Sequence, residues 1–161
     1  GTLRAYRVTP ARTLAYILAK DALFIVLSLA YGGILLAAAF GGSIDYLPVL
    51  AVLVLSSSLM TMLSLTVSAF FRNLSEWFFV GVAILLVNSL PMMSYALPSF
   101  APAWITWLPS YVAVFAARDI LFHGTGLAGV APALVYLLAG NLAALAASYW
   151  VVRARLMREE H

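Results

Sequence analysis

Long apolar stretches, broken by short polar ones, set the plan of this chain. Ala22 to Phe40 holds no charged side chain over about 19 residues, roughly 28 Å of helix and close to the hydrocarbon thickness of a bilayer. Gly41, Gly42, Ser43 and Asp45 then make a short turn with no Lys or Arg. Leu47 to Phe70 is a second stretch, long enough to cross with some tilt. The polar run Arg72-Asn73-Leu74-Ser75-Glu76 separates it from a third, which begins at the interface-favouring Trp77 and reaches about Ala96. Pro91 and Asn88 near its far end predict a kink there. Leu127 to Val152 is the fourth, with Pro132 in its first part and Tyr149 and Trp150 at its end.

Residues 97–126 break the pattern. Pro98, Pro102 and Pro109 rule out a regular spanning helix in the first half, and Trp104, Trp107 and Tyr111 suit a membrane interface. Ser110 to Phe122 reads as a helix capped by Ser110 and stopped near Gly124, too short to cross. Irregular backbone survives at membrane depth only when buried in protein or facing water. The segment is therefore expected to be a re-entrant or interfacial hairpin.

Before the first stretch, Arg4, Arg7, Arg12 and Lys20 supply four of the nine basic residues. Pro10 fits the first position of a helix, with Thr9 as its N-cap. Thr2 to Val8 forms a separate amphipathic piece, with Leu3 and Tyr6 on one face and Arg4 and Arg7 on another. Such a piece either anchors to lipid headgroups or contacts a partner. Arg72 follows the second stretch and Arg153, Arg155 and Arg158 follow the fourth, against Arg118 alone on the other side. The positive-inside bias then places both termini in the cytoplasm and the hairpin outside it.

Composition agrees with this plan. The chain has 161 residues, is 65% hydrophobic and 9% charged, and has a mean hydropathy of +1.03. Soluble domains are about 25% charged. The expected class is an all-α integral membrane protein of the cell membrane, a single multi-pass domain of four transmembrane helices plus an extracytoplasmic hairpin. The net charge of +3 lies at the membrane edges and argues orientation, not nucleic-acid binding. With no cysteine, disulfides and thiolate metal sites are excluded. No signal-peptide pattern precedes the first span, Gly1 is no initiator, and further chain is expected upstream.

No apolar stretch, so bounded, contains Asp, Glu, Lys, Arg or His, which argues against a proton- or sodium-coupled carrier and against a membrane enzyme. Lys20 belongs to no glycine-rich phosphate loop. Ser57, Thr61, Ser64 and Ser68 fall at steps of four, three and four, lining one helical face with hydroxyls. Packing of that face on another helix is the first reading, and a polar substrate path that also includes Asn88 is the second. Gly140, Ala144 and Ser148 form another small-residue stripe, read as packing. Arg118, Asp119 and His123 read as a locally paired helix end, with no catalytic residue or metal site expected.

Gly1-Thr2-Leu3 and Val8-Thr9-Pro10, followed ten residues on by Lys20 at the head of a span, resemble the GTLE-x-L-x-VTP…K pattern of ABC-2 type transporter permeases. The succession of four spans with a proline- and aromatic-rich hairpin before the last is similar to that family over the whole chain. Phe70-Phe71 and Ser75-Glu76-Trp77-Phe78-Phe79 resemble a loop of its fluoroquinolone-export members. Arg4 and Tyr6 depart from the pattern, standing where the family has an acidic residue and Leu.

The resemblance implies a permease subunit of an ATP-binding cassette exporter. Thr2, Leu3, Arg4, Tyr6 and Arg7 would then contact an ATPase subunit. That partner would hold ATP and magnesium, this chain would carry no cofactor, and a second permease copy or homologue would complete the path. The rivals are a multi-span membrane enzyme and a non-transporting membrane anchor.

Overall fold

A computed structural model describes residues 10–71, 73–97, 99–100 and 102–158. The regular structure among them is helical: α1 (Pro10–Phe40), α2 (Tyr46–Ser68), α3 (Leu74–Ala96), a 3₁₀ turn (Ala103–Trp107), α4 (Pro109–His123) and α5 (Leu127–Arg158). Four of these, α1, α2, α3 and α5, are long and apolar enough to cross a membrane. At 15 residues, or about 22 Å, α4 is too short.

The boundaries follow from local chemistry. Pro10 opens α1, as its fixed φ and missing N–H allow, while Thr9 lies outside the described residues, as does the whole Thr2 to Val8 piece. The turn after Phe40 is closed by the Tyr46 hydroxyl donating to the Gly41 carbonyl, and Asp45 caps α2 by accepting from the Leu47 N–H at 3.2 Å. α3 starts at Leu74, before the expected Trp77, and Pro91 lies inside it. Ser110 does not cap α4: Leu108 is the N-cap and Pro109 leads the helix, leaving the Ser110 hydroxyl buried without a partner. Gly124 does stop it, at φ 64, a left-handed conformation that lets its N–H close on the Asp119 carbonyl.

The first span also starts earlier than the apolar run. α1 is one helix of 31 residues, and the candidate span within it, Thr13–Phe40, includes Lys20 and Asp21, while its most apolar stretch contains no buried residue and so excludes the buried Asp21. Neither side chain interrupts a helix; only a lipid environment objects to them, and a hydropathy boundary reports that objection and not the helix end. Asp21 is 7% exposed. The Ala22 to Phe40 run itself holds no ionisable group, and Lys20 and Asp21 precede it in the same helix.

The core is the seam between α2 and α5. From α2 come Val49, Val52, Leu59 and Met62; from α5 come Val130, Leu137, Ala144 and Ser148, recurring at near-heptad steps. α1 adds Ile17 against this seam and α4 adds Ala116 and Ile120. α3 stands apart: it packs on α4 and the 3₁₀ turn but makes almost no contact with α2, its neighbour in sequence. Its buried residues, Pro91 and Ser94, lie towards the 3₁₀ turn, where Ile105 is also buried, while Phe78, Phe79, Leu85 and Leu86 nearer its start are exposed.

The 3₁₀ turn and α4 lie against α5. The Trp107 carbonyl accepts from the Tyr136 hydroxyl at 2.6 Å, and Tyr136 is about 13 Å along α5 from Leu127. Phe122, near the other end of α4, meets Phe40, the last residue of α1, edge to face at 6.2 Å. The 3₁₀ turn thus lies beside α5, and α4 runs from it to the end where α1 stops and α5 starts.

Candidate functional site

The gap between α2 and α3 is a cleft of about 690 Å³. α2 contributes Leu53, Ser56, Ser57, Met60 and Ser64, and α3 contributes Trp77, Phe78, Gly81, Leu85 and Asn88. Ser28 of α1 and Ser110 of α4 close it. Its lining contains no charged residue among those described, and the polar groups are hydroxyls and one amide set in an apolar wall. This balance is that of a small-molecule pocket, whose usual range is about 300–1,000 Å³.

The hydroxyl stripe of α2 borders space. Ser57 and Ser64 line the cleft, and Ser57, Thr61, Ser64 and Ser68 line an adjoining groove of about 450 Å³ with Lys20, Phe24 and Trp77. Thr61 donates to the Ser57 carbonyl at 2.9 Å and Ser68 to the Leu65 carbonyl at 2.9 Å, so these hydroxyls are satisfied within their own helix. Within this chain the stripe borders the groove and does not form the α2 and α5 seam. Asn88 likewise bonds its own helix, donating to the Ile84 carbonyl at 2.9 Å. The structure brings Ser57, Thr61, Ser64 and Asn88 to the adjoining cleft and groove; Thr2, Leu3, Arg4, Tyr6 and Arg7 lie outside the described residues.

Packing falls on the neighbouring face of α2 instead. A Cβ on Gly140 would sit 3.1 Å from Leu59 Cδ2, so the absence of a side chain lets α5 approach. Ser148 is fully buried; its hydroxyl lies 2.9 Å from the Met62 carbonyl and 2.7 Å from the Thr66 hydroxyl. Asn141 donates across the seam to the Leu55 carbonyl at 2.8 Å. The Gly140, Ala144 and Ser148 stripe is therefore a packing stripe, as its spacing predicts.

Two ionisable sites complete the picture. The Asp21 carboxylate accepts from the Ser58 hydroxyl at 2.8 Å, and its other oxygen is buried without a partner. Arg118 donates to Asp119 through Nε at 3.0 Å and Nη2 at 2.7 Å, and His123 Nδ1 lies 3.3 Å from the same oxygen. This cluster is the locally paired helix end expected of it, with Arg118 also over the Phe115 ring at 4.8 Å. No group of three or more His, Cys, Asp or Glu residues is gathered for a metal among the described residues.

Sequence reasoning did not place Ser28, Ser56, Ser110 or Lys20 in this space. Ser28 carried a signal, as the sole Ser or Thr in the Ala22 to Phe40 run. The others did not: Ser110 and Lys20 enter only because α4 and α1 pass beside α2.

The fold and cleft define an all-helical chain with four potential membrane spans around an apolar, hydroxyl-dotted cavity. No protein-family model, no curated protein and no solved structure matches it.

Proposed function

We propose that this chain is the transmembrane part of a permease subunit of an ATP-binding cassette exporter of the ABC-2 type. The observation that carries the reading is the cleft between α2 and α3, a cavity of small-molecule size set between two helices of spanning length. The Gly1 to Lys20 pattern supports the same reading and supplies the motor: Thr2, Leu3, Arg4, Tyr6 and Arg7 contact a separate ATPase subunit, which holds ATP and magnesium.

Both termini lie in the cytoplasm, and residues 97–126 form a re-entrant hairpin entered from outside. The ATPase dimer closes on ATP and thereby favours one orientation of two permease copies over the other, since only a ligand with different affinities for two states shifts their balance. A drug or lipid-like molecule crosses as the copies alternate.

The decisive experiment pairs Leu3→Asp with Arg7→Glu. Insertion should persist while co-purification of the ATPase and substrate-stimulated ATP hydrolysis fall. Unchanged association and hydrolysis would leave the segment as a lipid anchor, and a parent protein that recruits no ATPase would sink the permease reading. Orientation is tested by impermeant thiol labelling on intact cells: Ser43→Cys should react and Asn73→Cys should not, and the reverse would invert the topology.

A further inference from the structure

The cleft and the groove adjoin, and a cation stands in the wall of the groove. They share Ser57, Met60, Ser64 and Trp77, and Lys20 stands in the wall of the groove alone. Its ammonium lies 5.6 Å from the centre of the Tyr16 ring. Among the described residues Lys20 has no carboxylate partner. The adjacent Asp21 does not serve, because successive residues turn about 100° around a helix and Asp21 is directed into α2, onto Ser58. In the part of the cleft that the groove does not reach, the Ser110 hydroxyl is buried without a partner. One end of the space thus carries a positive charge with no carboxylate partner among the described residues, and the rest of its wall is largely apolar.

We propose that this space binds an amphipathic anion: a molecule with one apolar body, seated between α2 and α3, and one acidic group, carboxylate or phosphate, on the Lys20 ammonium. The proposal rests on reading the cleft as a ligand path. The Lys20 side chain is exposed, and a counter-anion held on its ammonium against the apolar wall displaces water there and is attracted more than in bulk water. Lysine offers three donors to such a group, and Ser57 and Ser64 stand nearby with hydroxyls. The occupant is a free, single-bodied amphipath and not a two-chain phospholipid, because a cavity of about 690 Å³ is of drug size.

Trp77 lines both parts of the space and reports on it directly. In a protein with Trp104, Trp107 and Trp150 replaced by Phe, held in zwitterionic bilayers, Trp77 quenching is titrated with a dibrominated fatty acid, the matched alcohol and the matched alkylamine. The acid should bind about tenfold tighter than the alcohol, and the amine more weakly than either. Lys20→Met should erase the preference for the acid while leaving alcohol binding unchanged, and Lys20→Arg should keep it.

A preference that survives Lys20→Met, or an amine that binds as well as the acid, overturns the proposal. So does equal, Lys20-dependent quenching by a dibrominated anionic phospholipid in the bilayer, which would assign Lys20 to lipid headgroups. The assay needs no ATPase. Acid binding in a protein that recruits no ATPase would remove the permease reading and keep the site, and ATPase recruitment without acid preference would do the reverse.

Discussion

Two faces of α2 carry nearly the same residue types and do opposite things. One bears Ser58, Leu59, Met62 and Thr66, with Leu59 closed against Gly140 and the Met62 carbonyl within reach of the Ser148 hydroxyl. The other bears Ser57, Thr61, Ser64 and Ser68 and looks into the cleft and groove. The difference is the partner. α5 presents Gly140, Ala144 and Ser148 at the spacing that meets α2, so every small residue there closes a gap. α3 presents Trp77, Phe78 and Leu85 from a helix that α4 and the 3₁₀ turn hold away, so the same kind of residue leaves one. Small polar residues on a helix face are therefore permissive for contact, and the position of the second helix decides whether contact occurs.

The seam is where a larger side chain should do most damage. Ser148→Leu adds three carbons to a fully buried position and removes the hydroxyl facing Met62 and Thr66. Overpacking and lost interhelical bonds together should cost about 2–4 kcal/mol, read as a large drop in the detergent melting temperature. A protein melting like the parent would mean that the seam is loose and that the contrast between the faces is false.

The next largest effect is expected between the two faces, where Ser58 donates to buried Asp21. Asp21 already has one oxygen without a partner. Ser58→Ala strips the other and should cost about 1–3 kcal/mol, the penalty for an unpaired buried polar group. Replacing both, Asp21→Leu with Ser58→Ala, should regain most of it, because matched apolar groups owe no hydrogen bond. Equal melting of the single and double variants would show that Asp21 is not buried as the structure has it.

The smallest effect on stability belongs to the cleft face. Ser64 is exposed and borders the cavity, so Ser64→Leu should change melting by less than about 0.5 kcal/mol. It should still alter transport rate or substrate preference. A melted Ser64→Leu protein would return the hydroxyl stripe to packing and close the cleft as a path.

How much of this was legible without coordinates depends on the range of the interaction. The number of long apolar helices, the start at Pro10, the stop at Gly124, the kink-prone Pro91 and the packing role of Gly140, Ala144 and Ser148 all followed from residue types and local spacing. The bond of Asp21 to Ser58 was not legible, because a helix does not say which neighbour its polar side chains meet. The hydroxyl stripe was read as packing because a single helix does not say what faces it. Ser110 was read as a cap because serine is a good one, and Pro109 took the position that serine needed.

The chain by itself thus determined which segments are helical and which of them are long and apolar enough to span a membrane. Helicity and apolar length are sums over neighbours, and neighbours are written in order. The tertiary structure alone decided that α3 stands off α2, that α4 runs from the 3₁₀ turn beside α5 to close the cleft with Ser110, and that Lys20 faces the groove while Asp21 faces Ser58. Those outcomes depend on where helices far apart in sequence come to rest, set by the α2 and α5 seam and the Trp107 to Tyr136 bond. No periodicity within one segment encodes the distance to another.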